Sequence, residues 1–479
     1  MSEFRALLLA ACLALALGPL TIACSPTRQS AGAAEPAATA QPPSEPTVEP
    51  EPTRAAAPTG AARSAESGER ARRSDRQARA SDITPEPIPD RAATAYRGIE
   101  DIVVRIRGLK PSRDVELRFM NQAELHQYFT ESFDRDYTPA ERARDQKLLV
   151  LLGLLRPDQD LTAIMLNLLT EQVIGFYDEA SKRMYLIGEV AEPTPASKVT
   201  FSHEFTHSLQ DDSYNLKALD PPNSDDGDRS SAIQALVEGD ATLVMLLYAR
   251  NELSPEDRRE YARSEAAGDT SALDRAPLVL RTELLFPYTD GLRFVQTLYR
   301  QGGFAAVDAA FRSPPRSTEQ VLHPEKYTAQ EAPVSVPLPD LPAALGEGWT
   351  QTATNTLGEL DLRILVEQFT DRATAERAAA GWGGDRYALL EDSAGRSALA
   401  LKTTWDSSQD AWEFFQAYGQ TARSRYGPQA RVTARDPTHE ALAGDGFAAS
   451  VALQGQDVVV VLAPDEGVMD RLAAALAGG

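Results

Sequence analysis

After a long polar stretch, apolar residues recur at helical spacing along the chain. This period begins near Tyr96 and continues to Leu109, which predicts a helix. From Val115 the apolar and polar positions alternate, as they do in a short, half-buried strand. Leucines then return at helical spacing over 139–155 and 161–171. These two segments predict further helices that contribute to a core.

The next segments predict a hairpin followed by long helices. Val173–Asp178 and Arg183–Ile187 are rich in β-branched and aromatic residues and flank a polar turn, which is typical of two paired strands. After two prolines, a helix is predicted from Ala196 or Ser197 to about residue 212. A polar loop separates it from a second helix at 232–251, for which Ser230 or Ser231 would be the N-cap. A further helical pattern covers 284–311.

A proline-rich segment at 332–342 separates two regions that have different patterns of apolar residues, and it is the best domain boundary. Beyond it, helical and alternating patterns are mixed: helices are predicted at 357–369, 373–380, 410–426 and the C-terminus, and hairpins at 387–405 and 447–463. The prediction is an α+β fold. A mainly helical domain with a small sheet or hairpin, residues 96–335, precedes a smaller α+β domain, residues 345–479.

The N-terminus has the plan of an export signal. Residues 1–24 contain a short apolar run that ends at Cys24, and the sequence just before this cysteine resembles a bacterial lipoprotein box, although Thr21 replaces the usual aliphatic residue. The two cysteines, Cys12 and Cys24, both lie in this segment. We therefore predict lipidation of Cys24 and an extracytoplasmic protein anchored to a bacterial membrane. Ordinary secretion and an uncleaved anchor remain the alternatives.

The composition and net charge of the chain restrict the kinds of molecule that it is expected to bind. Residues 25–95 are rich in Ala, Pro, Glu and Ser, with almost no large apolar side chain, and are predicted to be a disordered tether. The chain as a whole has 42% hydrophobic residues, which is enough for a buried core. Its net charge of -22 opposes binding to anionic polymers, so nucleic acid is excluded as the expected partner.

A metal-binding motif stands inside the helix that follows the hairpin. His203 and His207 are separated by four positions, which places both imidazoles on one face of a helix, one turn apart. Glu204 lies beside them, where a carboxylate can accept a proton from the attacking water. The chain has only five histidines, so this arrangement rarely arises by chance. We predict a Zn²⁺ site with Glu204 as the general base.

A catalytic zinc commonly takes three protein ligands, so one more side chain is needed. Glu238 lies in an otherwise apolar helix, where a charge is costly unless it is paired or coordinated, and it is the predicted third ligand. Its small neighbour Gly239 would allow this helix to approach the histidine-bearing one closely. Asp240 is the rival ligand, but we expect it to accept a hydrogen bond from a ligand imidazole. Asp211 is a second candidate for that role.

These motifs resemble those of a known group. His-Glu-Phe-Thr-His with a downstream glutamate resembles the gluzincin branch of the zincin metallopeptidases. The segments Ala-Leu-Val-Glu-Gly-Asp-Ala-Thr and Pro-Pro-Arg-Ser-Thr-Glu-Gln-Val-Leu-His-Pro-Glu-Lys-Tyr are similar to those of a family of bacterial envelope metallopeptidases. The resemblance covers about Tyr96 to Tyr327.

The resemblance implies a zincin-like core that hydrolyses peptide bonds in a peptide or protein substrate. A bound peptide would lie antiparallel to an edge strand, which here is Val173–Asp178. Gluzincins commonly stabilise the oxyanion with an additional His or Tyr, for which His323, Tyr288 and Tyr327 are candidates. The alternative is a non-catalytic, zincin-like binding or assembly lipoprotein of the cell envelope. Glu204 favours the enzyme, because a purely structural site has no use for a general base.

Overall fold

The structure is a computed structural model that describes residues 12–13, 88–188, 192–220 and 226–478. The predicted lipidation of Cys24 and nearly all of the predicted signal segment and tether lie outside these residues. The described helices are α1 (Asp90–Arg107), α2 (Gln122–Asp136), α3 (Pro139–Leu152), α4 (Leu161–Gln172), α5 (Pro195–Tyr214), α6 (Leu216–Leu219), α7 (Gly227–Asn251), α8 (Pro255–Ala267), α9 (Ser271–Arg275), α10 (Leu278–Phe286), α11 (Leu292–Arg312), α12 (Thr318–Leu322), α13 (Pro324–Thr328), α14 (Leu341–Leu345), α15 (Gly358–Glu367), α16 (Arg372–Ala379), α17 (Ser408–Tyr426) and α18 (Glu466–Ala477).

Two sheets accompany these helices. The described strands are β1 (Cys12–Leu13), β2 (Glu116–Met120), β3 (Val173–Asp178), β4 (Arg183–Ile187), β5 (Trp349–Asn355), β6 (Trp382–Asp392), β7 (Ser397–Trp405), β8 (Arg431–Arg435), β9 (His439–Gly444), β10 (Phe447–Gln454) and β11 (Asp457–Ala463). The first sheet has the order β1-β3-β4-β2, and the second, seven-stranded sheet has the order β5-β6-β7-β11-β10-β9-β8. The fold is therefore α+β, as predicted, with a helical part and a smaller α+β part.

The predicted hairpin has the register that its sequence favours. Strands β3 and β4 pair antiparallel with Phe176 opposite Tyr185, whose rings stack with centroids 4.8 Å apart. Strand β2 adds to β4 in parallel, and the short β1 pairs antiparallel with β3, with Cys12 opposite Gly175. The outer edge of β3 thus faces an extended segment of the same chain.

Helix α5 begins where the sequence provides a cap. The Thr194 side chain accepts a hydrogen bond from the Ser197 backbone N–H, and Pro195 occupies the first turn, where its missing N–H costs nothing. Farther along, Phe201, Phe205 and Leu209 are buried in a core that they share with α1. This apolar stripe fixes the orientation of α5, so its opposite face has a defined direction toward α7.

Two helix starts differ from the prediction. Helix α1 begins at Asp90 rather than near Tyr96, because the small side chain of Ala92 is buried and extends the packed face by a turn. Helix α7 begins at Gly227, and Asp226 is its N-cap. The predicted cap residues Ser230 and Ser231 lie inside the helix and donate to backbone carbonyls one turn earlier.

Helix α7 is long and apolar enough to cross a membrane, by length and composition alone. In its most apolar window 78% of the residues are buried inside the protein, which is typical of the core helix of a globular fold.

The single helical stretch predicted for 284–311 is interrupted. A π-helical turn at Pro287–Gly291 separates α10 from α11, and α11 is itself kinked at Gly302 and Gly303, where Gly303 has φ 62°. Pro287 lacks a backbone N–H, so the regular helical ladder cannot pass through it unchanged. Periodicity alone does not reveal this break, because the apolar positions continue across it.

The π-turn lies directly against α7 through two glycines. A Cβ atom on Gly239 would overlap the Gly291 carbonyl group, and one on Gly291 would overlap the carbonyl of Ala235. Gly239 therefore allows α7 to approach the π-turn, whereas the sequence predicted that it allows approach to α5. The contact places the π-turn beside the residue that precedes Gly239, which is Glu238.

We expect Gly239→Ala to destabilise the protein by about 1 to 3 kcal/mol, because the added methyl group pushes two backbones apart. The matched control is Gly98→Ala, which also lies inside a helix but has open space around its Cβ position. That change should stabilise the protein by up to about 1 kcal/mol, from helix propensity alone. Urea unfolding of both variants measures the difference, and equal effects would show that Gly239 is not a contact glycine.

The helical part and the second sheet meet through buried polar contacts at the start of α7. The Gly227 backbone N–H donates to Asn355 Oδ1 at 2.7 Å, and the Thr318 backbone N–H donates to Asp228 Oδ1 at 3.1 Å. Gly358 packs so closely on Asp228 that no Cβ would fit there. The described residues from 88 onward belong to one compact unit.

Candidate metal centre

Helices α5 and α7 bring the three predicted ligands together. His203 Nε2 lies 3.1 Å from Glu238 Oε2 and 3.0 Å from His207 Nε2, and His207 Nε2 lies 3.4 Å from the same carboxylate oxygen. All three side chains are buried. The three potential ligand atoms thus form a nearly equilateral triangle around one point, as the sequence predicted.

The dimensions of this triangle fit a zinc ion. Zn–N and Zn–O bonds of 2.0 to 2.2 Å in tetrahedral geometry separate the ligand atoms by about 3.3 Å. Two ring nitrogens and one carboxylate oxygen are also a donor set that zinc accepts. Glu238 Oε1 is buried and has no hydrogen-bond partner among the described residues, which leaves it available to an ion. The residues present therefore fit the metal that the motif implies.

Strong mutual attraction holds the cluster in its metal-free form. Burial disfavours charge on His207, but the adjacent Glu238 carboxylate, a hydrogen bond to it and the nearby Glu204 outweigh burial and raise the pKa of His207 to about 9. Burial likewise opposes charge on Glu238, yet the His207 charge and hydrogen bonds with both imidazoles lower the pKa of Glu238 to about 2. At neutral pH a proton on His207 thus substitutes for the positive charge of an ion.

The hydrogen bond that orients His207 comes from a residue that sequence reasoning missed. His207 Nδ1 lies 2.8 Å from Gln210 Oε1. The Gln210 amide nitrogen in turn donates to the Val237 carbonyl at 3.0 Å and to Asp240 Oδ2 at 2.9 Å. The only available signal was an amide three residues after a ligand histidine, on a helix whose two faces are both buried.

The two aspartates predicted to accept from a ligand imidazole have other partners. Asp240 is fully buried and accepts hydrogen bonds from Gln210 and from Arg107. It therefore contacts the residue that binds the His207 imidazole rather than the imidazole itself. Asp211 accepts from Tyr177 Oη at 3.0 Å and also pairs with Lys182 of the hairpin turn. Asp211 therefore joins α5 to the β3–β4 hairpin. Both predicted contacts are wrong, because Gln210 occupies the position beside His207.

Glu204 lies inside the site, as its position in the motif predicts. Its side chain is buried, and its negative charge contributes to the raised pKa of His207. Glu204 therefore acts electrostatically on the same cluster as the three predicted ligands.

Of the three candidates for oxyanion stabilisation, one has a ring contact with a ligand. Tyr288 is buried on the π-turn, and its ring stacks on His203 with centroids 6.1 Å apart. His323 instead hydrogen-bonds Glu359 Oε1 at 2.9 Å, and this bond raises the pKa of His323. Tyr327 donates to the Ser313 carbonyl at 2.9 Å. The contacts of His323 and Tyr327 are with residues outside the ligand set.

Comparison with known proteins adds little to this geometry. Residues 347–473 match the family model described as Domain of unknown function (DUF8575), which is less than half of the chain. No curated protein matches the chain. A crystal structure from Chloroflexus aurantiacus, described as a "putative hydrolase with a novel fold", matches with 19% identity and a TM-score of 0.33, covering 53% of this chain and 96% of that one. At this TM-score the similarity supports no inference about fold or activity.

Proposed function

We propose that the protein is a zinc-dependent peptidase that acts outside the cytoplasm, tethered through a lipid on Cys24. The observation that carries this proposal is the triangle of His203, His207 and Glu238, with Glu204 beside it. A purely structural zinc site is usually closed by four protein ligands, whereas a catalytic site uses three and an adjacent base. The three ligand residues found here match the second pattern.

When bound, zinc supplies a Lewis acid that acidifies water and polarises a carbonyl group. Glu204 is then the proton acceptor for the attacking water, and it later returns that proton to the leaving amine. Tyr288, whose ring stacks on His203, would donate a hydrogen bond from its hydroxyl to the negative charge that develops on the carbonyl oxygen. Burial of the site strengthens each of these interactions, because little water screens them.

A substrate in extended conformation has a natural place along β3. In the structure residues 12–13, which precede Cys24, pair antiparallel with this side of β3, so β3 is not a free edge and a substrate peptide would take the place of that segment. Backbone hydrogen bonds would hold such a peptide without demanding a particular side-chain sequence.

The test is metal removal from the purified full-length protein. We expect a strong chelator to abolish cleavage of an unstructured peptide library, and added Zn²⁺ to restore it, with one zinc ion bound per chain by elemental analysis. The library is read by mass spectrometry, which detects cleavage at any bond in any member of the library. Cleavage that persists in metal-free protein would contradict the proposal.

The second candidate function is a non-catalytic binding or assembly lipoprotein that keeps the ion for stability. The burial of all three ligands favours this alternative, because an enzyme must admit its substrate to the metal. It predicts one bound zinc, a lower melting temperature after chelation, and no cleavage of any peptide in the library. The peptidase proposal predicts cleavage in the same sample.

A further inference from the structure

A series of buried hydrogen bonds connects helix α1 to His207, one of the predicted ligands. Arg107, near the end of α1, donates from Nε to Asp240 Oδ2 at 2.9 Å. The same oxygen accepts from Gln210 Nε2 at 2.9 Å, and Gln210 Oε1 lies 2.8 Å from His207 Nδ1. The side chains of Arg107 and Asp240 are both 0% exposed. No link in this series is a surface contact.

The chemistry of the groups fixes which one is the donor and which is the acceptor in each of these hydrogen bonds. A guanidinium only donates, and the carboxylate that it pairs with only accepts. Asp240 must therefore receive an N–H from Gln210, which turns the amide nitrogen toward Asp240 and the Val237 carbonyl. The amide oxygen then faces His207 Nδ1 and can only accept. His207 Nδ1 must therefore carry a proton, so in the neutral imidazole Nε2 is the nitrogen that has a lone pair, and it faces Glu238 and His203.

Arg107 is well placed to impose this direction, because its own position is fixed independently. Its Nη1 donates to Asp308 Oδ1 on α11 at 2.7 Å, and its guanidinium lies over the Phe304 ring, 4.7 Å from the centroid. Asp308 also accepts from Tyr214 Oη at 2.7 Å. The cation is thus held from the side away from the metal centre.

We propose that Arg107 is a positioning residue for the metal centre: through Asp240 and Gln210 it selects the His207 tautomer whose Nε2 can bind an ion. This inference rests on the proposed zinc site, and it identifies the residue that orients the His207 ring there. Arg107 donates to Asp240 and Asp308 rather than to a predicted ligand, so among the described residues its effect on His207 passes through Asp240 and Gln210.

The test compares full-length Arg107→Gln with Arg107→Lys and Asp308→Asn. We expect Arg107→Gln to weaken zinc binding by about 10- to 100-fold in a chelator competition assay, as loss of an orienting partner does in other zinc sites. Arg107→Lys should recover much of the affinity because it keeps a cationic donor. Asp308→Asn, which leaves the Asp240 contact in place, should bind nearly as well as wild type.

The readout specific to orientation is the ¹⁵N NMR spectrum of ¹⁵N-histidine-labelled protein, which has only five histidines. In metal-free wild type, at a pH high enough for His207 to be neutral, we expect His207 to show a protonated Nδ1 and a bare Nε2, and Arg107→Gln to show a mixture of tautomers. Unchanged His207 signals together with wild-type zinc affinity in folded Arg107→Gln would overturn the inference.

Arg107→Gln leaves Asp240 buried without its cation, so the variant can fail to fold. The double variant Arg107→Met/Asp240→Leu then replaces the ion pair with apolar side chains, which often preserves a fold. It should show the same loss of zinc affinity and the same tautomer mixture, and wild-type behaviour would again overturn the inference. If wild type binds no zinc, the proposed function fails, while the tautomer spectrum of metal-free protein still decides the role of Arg107.

Discussion

Glu204→Gln is expected to reduce peptide cleavage by at least about 100-fold, since a positioned general base commonly contributes 10² to 10⁴ in rate. The amide has nearly the same size and shape as the carboxylate but cannot accept the proton from water at neutral pH. Glu204 is not one of the three predicted ligands, so one zinc ion per chain should remain bound. The measurement is the rate of peptide-library cleavage at matched zinc content.

The control for this variant is Glu466→Gln, which neutralises a partly exposed carboxylate paired with Arg431 and outside the metal centre. It should cleave at the wild-type rate. Equal cleavage by wild type and Glu204→Gln would end the assignment of Glu204 as the base. Loss of zinc from Glu204→Gln would instead indicate that Glu204 helps to hold the ion.

Glu238→Ala should lose zinc affinity by more than the 10- to 100-fold typical of an orienting partner, because it removes a ligand itself. The Ala side chain also leaves the two imidazoles without the carboxylate that attracts them. Competition with a chromophoric chelator measures the affinity, and Glu466→Ala is the matched control for removing a carboxylate. If zinc binding survives Glu238→Ala unchanged, the triangle is not the metal site.

The pH dependence of zinc binding provides a second test of the same residue. The pKa of His207 in the metal-free protein is raised to about 9, so a proton must leave His207 when an ion binds. Wild-type affinity should therefore rise with pH, up to about tenfold per unit, until it levels near pH 9. Glu238→Ala removes the main cause of the raised pKa, so its weaker affinity should level at a lower pH.

Local sequence signals predicted the elements that hold the site because each signal was strong. The β-branched and aromatic residues of β3 and β4, the polar turn between them and the prolines before α5 all act within a few residues, and these three elements appear close to where they were predicted. The pairing of Glu238 with the histidines was also predictable, since a charge inside an apolar helix demands a partner.

The features that sequence reasoning missed depend on packing between distant segments. Gln210 orients His207 only because α7 places Val237 and Asp240 beside it, and no local pattern reports that. The π-turn and the contact of Gly239 with Gly291 likewise arise where two helices meet. A repeating pattern of apolar residues indicates that one face of a helix or strand is buried. It does not indicate which neighbouring element covers that face.

The buried contacts of Asp228 connect the C-terminal part to the helix that carries Glu238. Asp228 is held by Thr318 and covered by Gly358, and it lies in the first turn of the helix that carries Glu238. A helix rises 1.5 Å per residue, so the two carboxylates are about 15 Å apart along one stiff rod. A displacement at Gly358, whatever its source, would travel along this rod and move the carboxylate that completes the triangle.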